Sequence, residues 1–386
     1  MDYFHIPQLE KRKAKAKRFK ILSMMALVAS VVFLLFFLSD MFIKGHGAFT
    51  QTYVKVPVHV NEKTAKFTHL AVDKKEYGFM VSRAWLRGLK KTIKENPEWM
   101  NTKQERWTLA NSNVDQFIKG KYNRLKPKQI QKIKQMQKEG KIERRFNNIF
   151  FEKGDSKIPE FSGFAASIVG TVMTMLVTML IAVPLGVMTA VYLEEFAGDN
   201  KFTQIIEINI NNLAAIPSIL FGLLGLAVFI NFFGVPRSSP LVGGMTLALM
   251  SLPVIIVSSK AALKSVPDSI RQAGFALGLT KWQIVRDHVL PLAMPGMLTG
   301  AIIALAQAMG ETAPLIMVGM IAFIPDISTS FTDASTVMPA QIFTWSGMPE
   351  RAYIERTAAG ILVLLGILLS LNAIAIYLRK KYTKTW

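Results

Sequence analysis

Long runs of apolar residues constrain this chain more than any other feature. Crossing the hydrocarbon core of a bilayer takes about 20 apolar residues. Six blocks meet that need: Ile21–Ser39, Phe161–Leu193, Ile208–Phe233, Leu241–Ser259, Val289–Ala322 and Thr357–Leu378. The chain is 51% hydrophobic with a mean hydropathy of +0.30, too apolar for an ordinary water-soluble domain of its size. The first block outruns the apolar part of a signal peptide, and no clear small-x-small cleavage site follows it. It reads as a retained span. Six spans predict an all-α membrane protein.

Orientation follows from Lys and Arg near the span ends. Residues 1–20 form a basic tail carrying Lys11, Arg12, Lys13, Lys15, Lys17, Arg18 and Lys20, suited to anionic membrane lipid. The C-terminal tail has Arg379, Lys380, Lys381 and Lys384, and the approach to a polar loop has Lys260, Lys264, Arg271, Lys281 and Arg286. Six crossings put all three on one side, so both termini are expected in the cytoplasm. One inside loop dissents, since Glu194, Glu195 and Asp199 outnumber Lys201.

The formal net charge is +20, and residues 44–160 account for most of it, with 26 Lys/Arg against 12 Asp/Glu. These residues read as a small α+β insertion outside the membrane, after a first span at 21–43. That position argues against nucleic acid as the basic segment's partner. Val54, Val56, Val58 and Val60 alternate with polar residues at strand period. Pro57 marks an edge strand, with Phe67–Val72 as its expected neighbour. Helices are expected around Gly78–Ile93 and Pro127–Glu139. Gly154-Asp155-Ser156 reads as a turn into the second span. The chain has no cysteine, which excludes disulfides, thiolate metal sites and a cysteine nucleophile. His59 and His69 lack the companions of a metal site, so none is expected. No P-loop and no Ser/His/Asp or His-Glu-x-x-His pattern occurs, so catalytic residues are expected to be absent.

The permease core, 161–380, carries internal prolines at Pro184, Pro217, Pro253 and Pro314. Proline in a span frees backbone groups, and transporters use broken helices to present them to substrate. Between two uncharged stretches, Ser238–Ser259 and Val289–Gly310, lies a polar interlude. Pro267 and Asp268 suit the start of a helix, Gly274 and Gly278 permit a bend, and Leu290-Pro291 is expected to open the next span.

The interlude resembles the cytoplasmic loop of ATP-binding-cassette (ABC) importer permeases, whose pattern is Glu-Ala-Ala, three residues, Gly, nine residues, then Ile-x-Leu-Pro. Here Gln272-Ala273-Gly274 stands for Glu-Ala-Ala, Gly278 keeps its spacing, and His288-Val289-Leu290-Pro291 closes the motif. Gln272, Gly274 and His288 depart from the pattern. Four further segments extend the likeness to the PstA-type permeases of phosphate importers over roughly 150–380. They are Gly154-Asp155-Ser156, 191–196, 212–224 and, most specifically, Gly310-Glu311-Thr312-Ala313-Pro314-Leu315.

The resemblance implies the type I ABC importer permease fold in the bacterial inner membrane. It also implies a cytoplasmic coupling loop at 267–290 that docks on a separate ATPase dimer, where ATP and Mg bind. The remaining implied partners are a second permease subunit and an extracytoplasmic phosphate-binding protein. Candidate coupling residues are Gln272, Ala273, Gly274, Gly278, Leu290 and Pro291. Glu311 is the only charged residue between Asp287 and Asp326, and an ionisable group in a span is a functional candidate. Gln307 stands where relatives carry Arg, one turn before it. Pro217-Ser218 and Thr312 offer freed N–H groups and hydroxyls for an oxyanion. The alternatives are a permease for another oxyanion, such as molybdate or sulfate, and a membrane sensor with 44–160 as its receptor.

Overall fold

The computed structural model describes residues 7–198, 200–321 and 323–382. Residues 1–6 of the basic tail, Asp199, Ala322 at the end of the fifth block, and Lys384 lie outside the described residues. Among the described residues, five helices are long and apolar enough to cross a membrane, and a bent pair of apolar helices makes a sixth crossing if the two count as one span. Helix α1 (Pro7–Gly45) takes up the basic stretch Lys11–Lys20 as its own first turns, rather than leaving it a separate mobile tail. Its apolar surface is exposed, and its end presses Gly45 against the backbone of Ala358 and Ala359.

The insertion follows. Strands β1 (Thr50–Val60), β2 (Thr102–Leu109) and β3 (Ile142–Phe146) form an antiparallel sheet in the order β2-β1-β3. Helices α2 (Arg83–Glu95), α3 (Ser112–Ile118) and α4 (Pro127–Lys138) complete it. Val54, Val56, Val58 and Val60 are fully buried, as their alternation requires. β1 is nevertheless the central strand and not an edge. Pro57 is tolerated there because β3 pairs only with Thr50–Val54. The N–H groups of Lys55 and His59 reach Lys141 O and Ala71 O on the side away from β2. Pro57 has the same parity, so its missing N–H falls where no strand lies. Residues 67–72 are not a strand but a short helical turn, joined to β1 by that one bond from His59.

Helix α5 (Ala165–Phe196) runs beside α8 (Pro240–Lys264) at the heart of the membrane region. Between them, α6 (Lys201–Ala214) and α7 (Ser218–Phe232) meet at 107° across Ala215–Pro217. The third block is therefore not one continuous helix but a sharply bent pair, either a broken span or a re-entrant loop. Pro184 and Pro253 lie inside unbroken helices. A short helix α9 (Asp268–Ala276) leads to α10 (Lys281–Gly310), followed by α11 (Ala313–Met317), α12 (Met338–Ser346) and α13 (Ala352–Tyr382). The fifth block accordingly ends as a helix at Gly310.

Small residues let these helices touch, since helices in lipid associate through close packing. A Cβ on Gly244 would lie 2.4 Å from Val177 Cβ, and one on Gly186 2.6 Å from Ile255 Cγ2. Further along α8, Gly296 faces Ala262 and Gly300 faces Ser258.

The insertion is fastened to α13 by buried charges. Glu355 takes Lys119 at 3.0 Å, Lys121 at 3.1 Å and Gln116 at 2.6 Å, while Asp115 holds Lys119 at 2.6 Å and the Thr52 hydroxyl at 2.7 Å. Gly154-Asp155-Ser156 is a socket. Asp155 Oδ1 accepts from Ser156 N and Ser162 Oγ at 2.8 Å and from the buried Trp345 Nε1 at 2.9 Å. Gly154 has no Cβ because Pro325 O would lie 2.3 Å from it.

A paired test follows. A Cβ on Gly170 would meet Thr336 O at 2.1 Å, whereas one on Gly88, in α2, meets nothing within 4 Å. Gly170→Ala is expected to destabilise by about 1–3 kcal/mol, and Gly88→Ala to stabilise by about 0.5–1 kcal/mol. Thermal unfolding in detergent reads both. A Gly170→Ala protein that melts with the wild type contradicts the close approach.

Candidate functional site

The polar interlude folds as two helices joined by a tight stop. α9 closes in a Schellman arrangement: Leu279 N donates to Gly274 O at 3.1 Å and Gly278 N to Phe275 O at 2.9 Å. That closure puts Gly278 at φ +78°, the left-handed region where glycine is at home. Thr280 and Gln283 then form a capping box that starts α10. Gly274, which replaces the family's second alanine, is buried against Ile284. A Cβ there would sit 2.6 Å from Ile284 Cγ1. Gln272, Ala273 and Gly278 are exposed. Leu290-Pro291 does not open a new span. The helix is already running from Lys281, and it widens to π geometry over Val285–Val289 just before the proline ring that would otherwise crowd the preceding turn.

The loop is anchored by a residue that motif reading passed over. Arg271 forks onto Glu195, with Nη2 at 2.6 Å and Nε at 3.2 Å, and it donates to the carbonyls of Val266 and Leu263 at 2.8 and 3.1 Å. Hydrogen bonding to Glu195 raises the guanidinium above its ordinary pKa and keeps it charged. Lys260 pairs with Glu207 and lies 3.9 Å from Glu194, and Lys264 lies 3.8 Å from the same carboxylate. The acidic exception to the charge rule is thus neutralised by cations of α8 and α9. The only sequence signal for it was that juxtaposition of opposite excess charge.

Pinned at one side, the loop exposes Phe275, Leu277 and Trp282 at 53, 80 and 54%. Such an apolar tip, rimmed by polar residues, marks an interaction surface. None of the three belongs to the motif positions.

The second group of candidates lies where α10 ends. Glu311 is not inside a helix: it caps α10 with an extended backbone (φ −75°, ψ 130°). It is half-buried, and among the described residues its carboxylate has no hydrogen-bond or ion-pair partner. Gln307 is exposed one turn earlier. Across from this break, α7 begins at Ser218 after the exposed Pro217, without a side-chain cap. α7 and α11 pack backbone to backbone: a Cβ on Gly222 would lie 2.7 Å from both Cα and O of Pro314. The fold therefore brings together the two helix breaks, at Pro217 and at Glu311–Thr312. No hydrogen bond among the described residues links Ser218, Thr312 and Glu311 directly.

Broken helices around a half-buried carboxylate, with a structured loop on the cationic side, define a membrane transport permease. The family described as the binding-protein-dependent transport system inner membrane component matches residues 182–384, and this chain belongs to it, as a PstA-type permease subunit of an ABC importer. A domain of unknown function matches residues 7–69 and 64–128. The chain is similar to the phosphate transport system permease protein PstA 1 of Mycobacterium tuberculosis, 32% identical over 56% of this chain and 70% of that one. It is similar to PstA of Yersinia pestis, at 31% over 57% and 74%. It also resembles the probable ABC transporter permease YqgI of Bacillus subtilis, at 34% over 43% and 56%. Among solved structures, the inward-facing MetNI methionine ABC transporter aligns with 57% of this chain and 97% of its own, at 18% identity and a TM-score of 0.46.

The anchor is testable by hydrogen exchange over residues 268–289. Breaking a buried ion pair by removing one partner costs about 3–5 kcal/mol, and Lys does not reproduce an Arg fork. Arg271→Ala, Arg271→Lys and Glu195→Gln are each expected to speed exchange in the loop while the α5–α8 core stays protected. Unchanged loop exchange in all three removes the anchor.

Proposed function

We propose that this chain conducts inorganic phosphate as one of two permease subunits in an ATP-driven importer of the bacterial inner membrane. The observation that carries the cargo is its identity to phosphate permeases over more than half its length. The alternative of a sensor falls with membership in the permease family. A permease for another oxyanion remains the rival, since a match to a permease of unstated cargo is of comparable identity.

In this reading the loop 267–290 lies in the cytoplasm with both termini. It docks in a groove of an ATPase dimer that holds ATP and Mg. Gln272 supplies no charge, so docking rests on shape and on the apolar tip formed by Phe275, Leu277 and Trp282. Closure of the ATPases moves the loop, and Arg271–Glu195 transmits that motion to the end of α5. The spans swing from inward-open to outward-open and accept phosphate from an extracytoplasmic binding protein.

The second permease covers the surface that this chain leaves open. α6 has no buried residue, and Ile216, Ile219, Leu220, Leu223 and Leu224 are exposed beside it. Glu311 opens toward the same break. A carboxylate repels an anionic cargo, so it serves as a gate: a cation of the second permease pairs with it, or a protonated phosphate oxygen donates to it. Ser218 and Thr312, with the uncapped amides after Pro217, supply donors along the path.

Uptake into proteoliposomes containing the full complex tests both claims. Phosphate is expected to accumulate with ATP, with excess sulfate or molybdate leaving the rate unchanged. Preferential uptake of either competitor defeats the cargo reading. Glu311→Gln and Glu311→Ala are expected to slow uptake roughly tenfold, about 1.4 kcal/mol in the barrier. Two variants at wild-type rate would defeat the gate. Trp282→Ala is expected to weaken capture of the ATPase without changing the fold.

A further inference from the structure

The insertion contains a concave site that the permease reading does not use. A cavity of about 470 Å3 opens between the turn at 68–78 and helix α2. Its lining includes Thr68, His69, Lys74, Arg83 and Arg87, and it has no carboxylate. The chain builds it locally. Asp73, the nearest acid in sequence, takes the backbone amides of Lys75 and Glu76 at 2.8 and 3.3 Å, so its carboxylate caps its own turn. Gly78 closes that turn, because a Cβ would lie 2.7 Å from Lys74 O. Lys74 is thereby set opposite α2, which presents Arg83 and Arg87 one turn apart.

The charges are what set this cleft apart. Among the described residues, Lys74, Arg83 and Arg87 have no ion pair or side-chain hydrogen bond. Several carboxylates elsewhere on the insertion are taken: Glu76 by Lys132 at 2.6 Å, Glu105 by Lys141 at 3.0 Å, Glu143 by Arg145 at 2.8 Å. By contrast, a cleft between α6 and α8 has Lys260 paired with Glu207 and both of its lysines near Glu194, and one beside α13 has Lys44 paired with Asp40 and Lys121 with Glu355. Like charges one turn apart on a helix repel by a few tenths of a kcal/mol. Cations gathered around a concavity also focus positive potential into it. Guanidinium groups present planar forks that match phosphate oxygens, and the Thr68 hydroxyl adds a neutral donor.

We propose that this cavity binds a phosphate group, presented either as free orthophosphate or as the headgroup of an anionic phospholipid. The inference stands on the insertion alone and holds whatever cargo the permease carries.

The test uses the purified full chain and reads hydrogen exchange locally, over residues 68–87, so that phosphate bound elsewhere does not register. The probes are orthophosphate, and nanodiscs of phosphatidylglycerol compared with phosphatidylcholine. Exchange is expected to slow, saturably, with orthophosphate or with phosphatidylglycerol, and the responding probe identifies the source. Arg83→Glu with Arg87→Glu, and the milder pair to Gln, are expected to weaken the response more than about tenfold. Lys128→Glu with Lys134→Glu, an equal charge change on exposed positions of α4, is expected to leave it within about twofold. Equal loss in both Glu pairs means diffuse attraction and overturns the site. So does the absence of a saturable response to both probes.

Discussion

Everything in the membrane region depends on how closely α5 and α8 approach. Lipid gives no hydrophobic reason for two apolar helices to associate, so contact rests on small residues and packing. Gly186, Gly243 and Gly244 supply it. α8 then serves as a spine. Gly225 of α7 sits against Thr246, and Met320, beyond α11, fills the space over Gly243. Gly296 and Gly300 bring α10 to Ala262 and Ser258. The segments on both sides of the helix breaks and the helix that follows the polar loop are thus packed against one helix.

The ends of the spans are held by a different force. At one end, Arg271 and Lys260 tie α8 and the loop to Glu195 and Glu207. At the end beside the insertion, Glu355 of α13 is buried among Lys119, Lys121 and Gln116. Removing one member of such a cluster strands the others away from water. The charges therefore fix relative position more than they add stability, and they join the insertion to α13 rather than leaving it an appended domain.

Most of the apolar helices, the helix–glycine–helix form of the polar loop and the turn at Gly278 were legible because each follows from a local rule: apolar length, capping residues, left-handed backbone. The prolines show where local rules stop. Pro217 lies at a helix break while Pro184 and Pro253 lie inside continuous helices, and exposure does not decide the outcome, since Pro184 is as open as Pro217 and only Pro253 is buried. Pro57 misled because its strand is central but locally unpaired on the side of the missing N–H. Glu194 and Glu195 looked like noise in a charge count because their partners come 66 to 76 residues later. The sequence placed Glu311 inside a span, but its backbone is extended at a break, which only the packing of α11 on α7 explains.

Pairing separates two uses of charge in this molecule. Where cations meet carboxylates, as at Arg271 or Lys119, their geometry is already satisfied and they position helices. Where a charge is held at a concavity or a break without a counter-ion, its hydrogen-bonding capacity is left for water or for a group outside the chain. Glu311 is one such group and the Lys74–Arg83–Arg87 cleft is another, of opposite sign. The unpaired carboxylate sits at the break beside the exposed helix α6, and the unpaired cations sit on the insertion. The chain has 46 basic residues against 26 acidic ones, and the turn capped by Asp73 keeps the nearest carboxylate engaged.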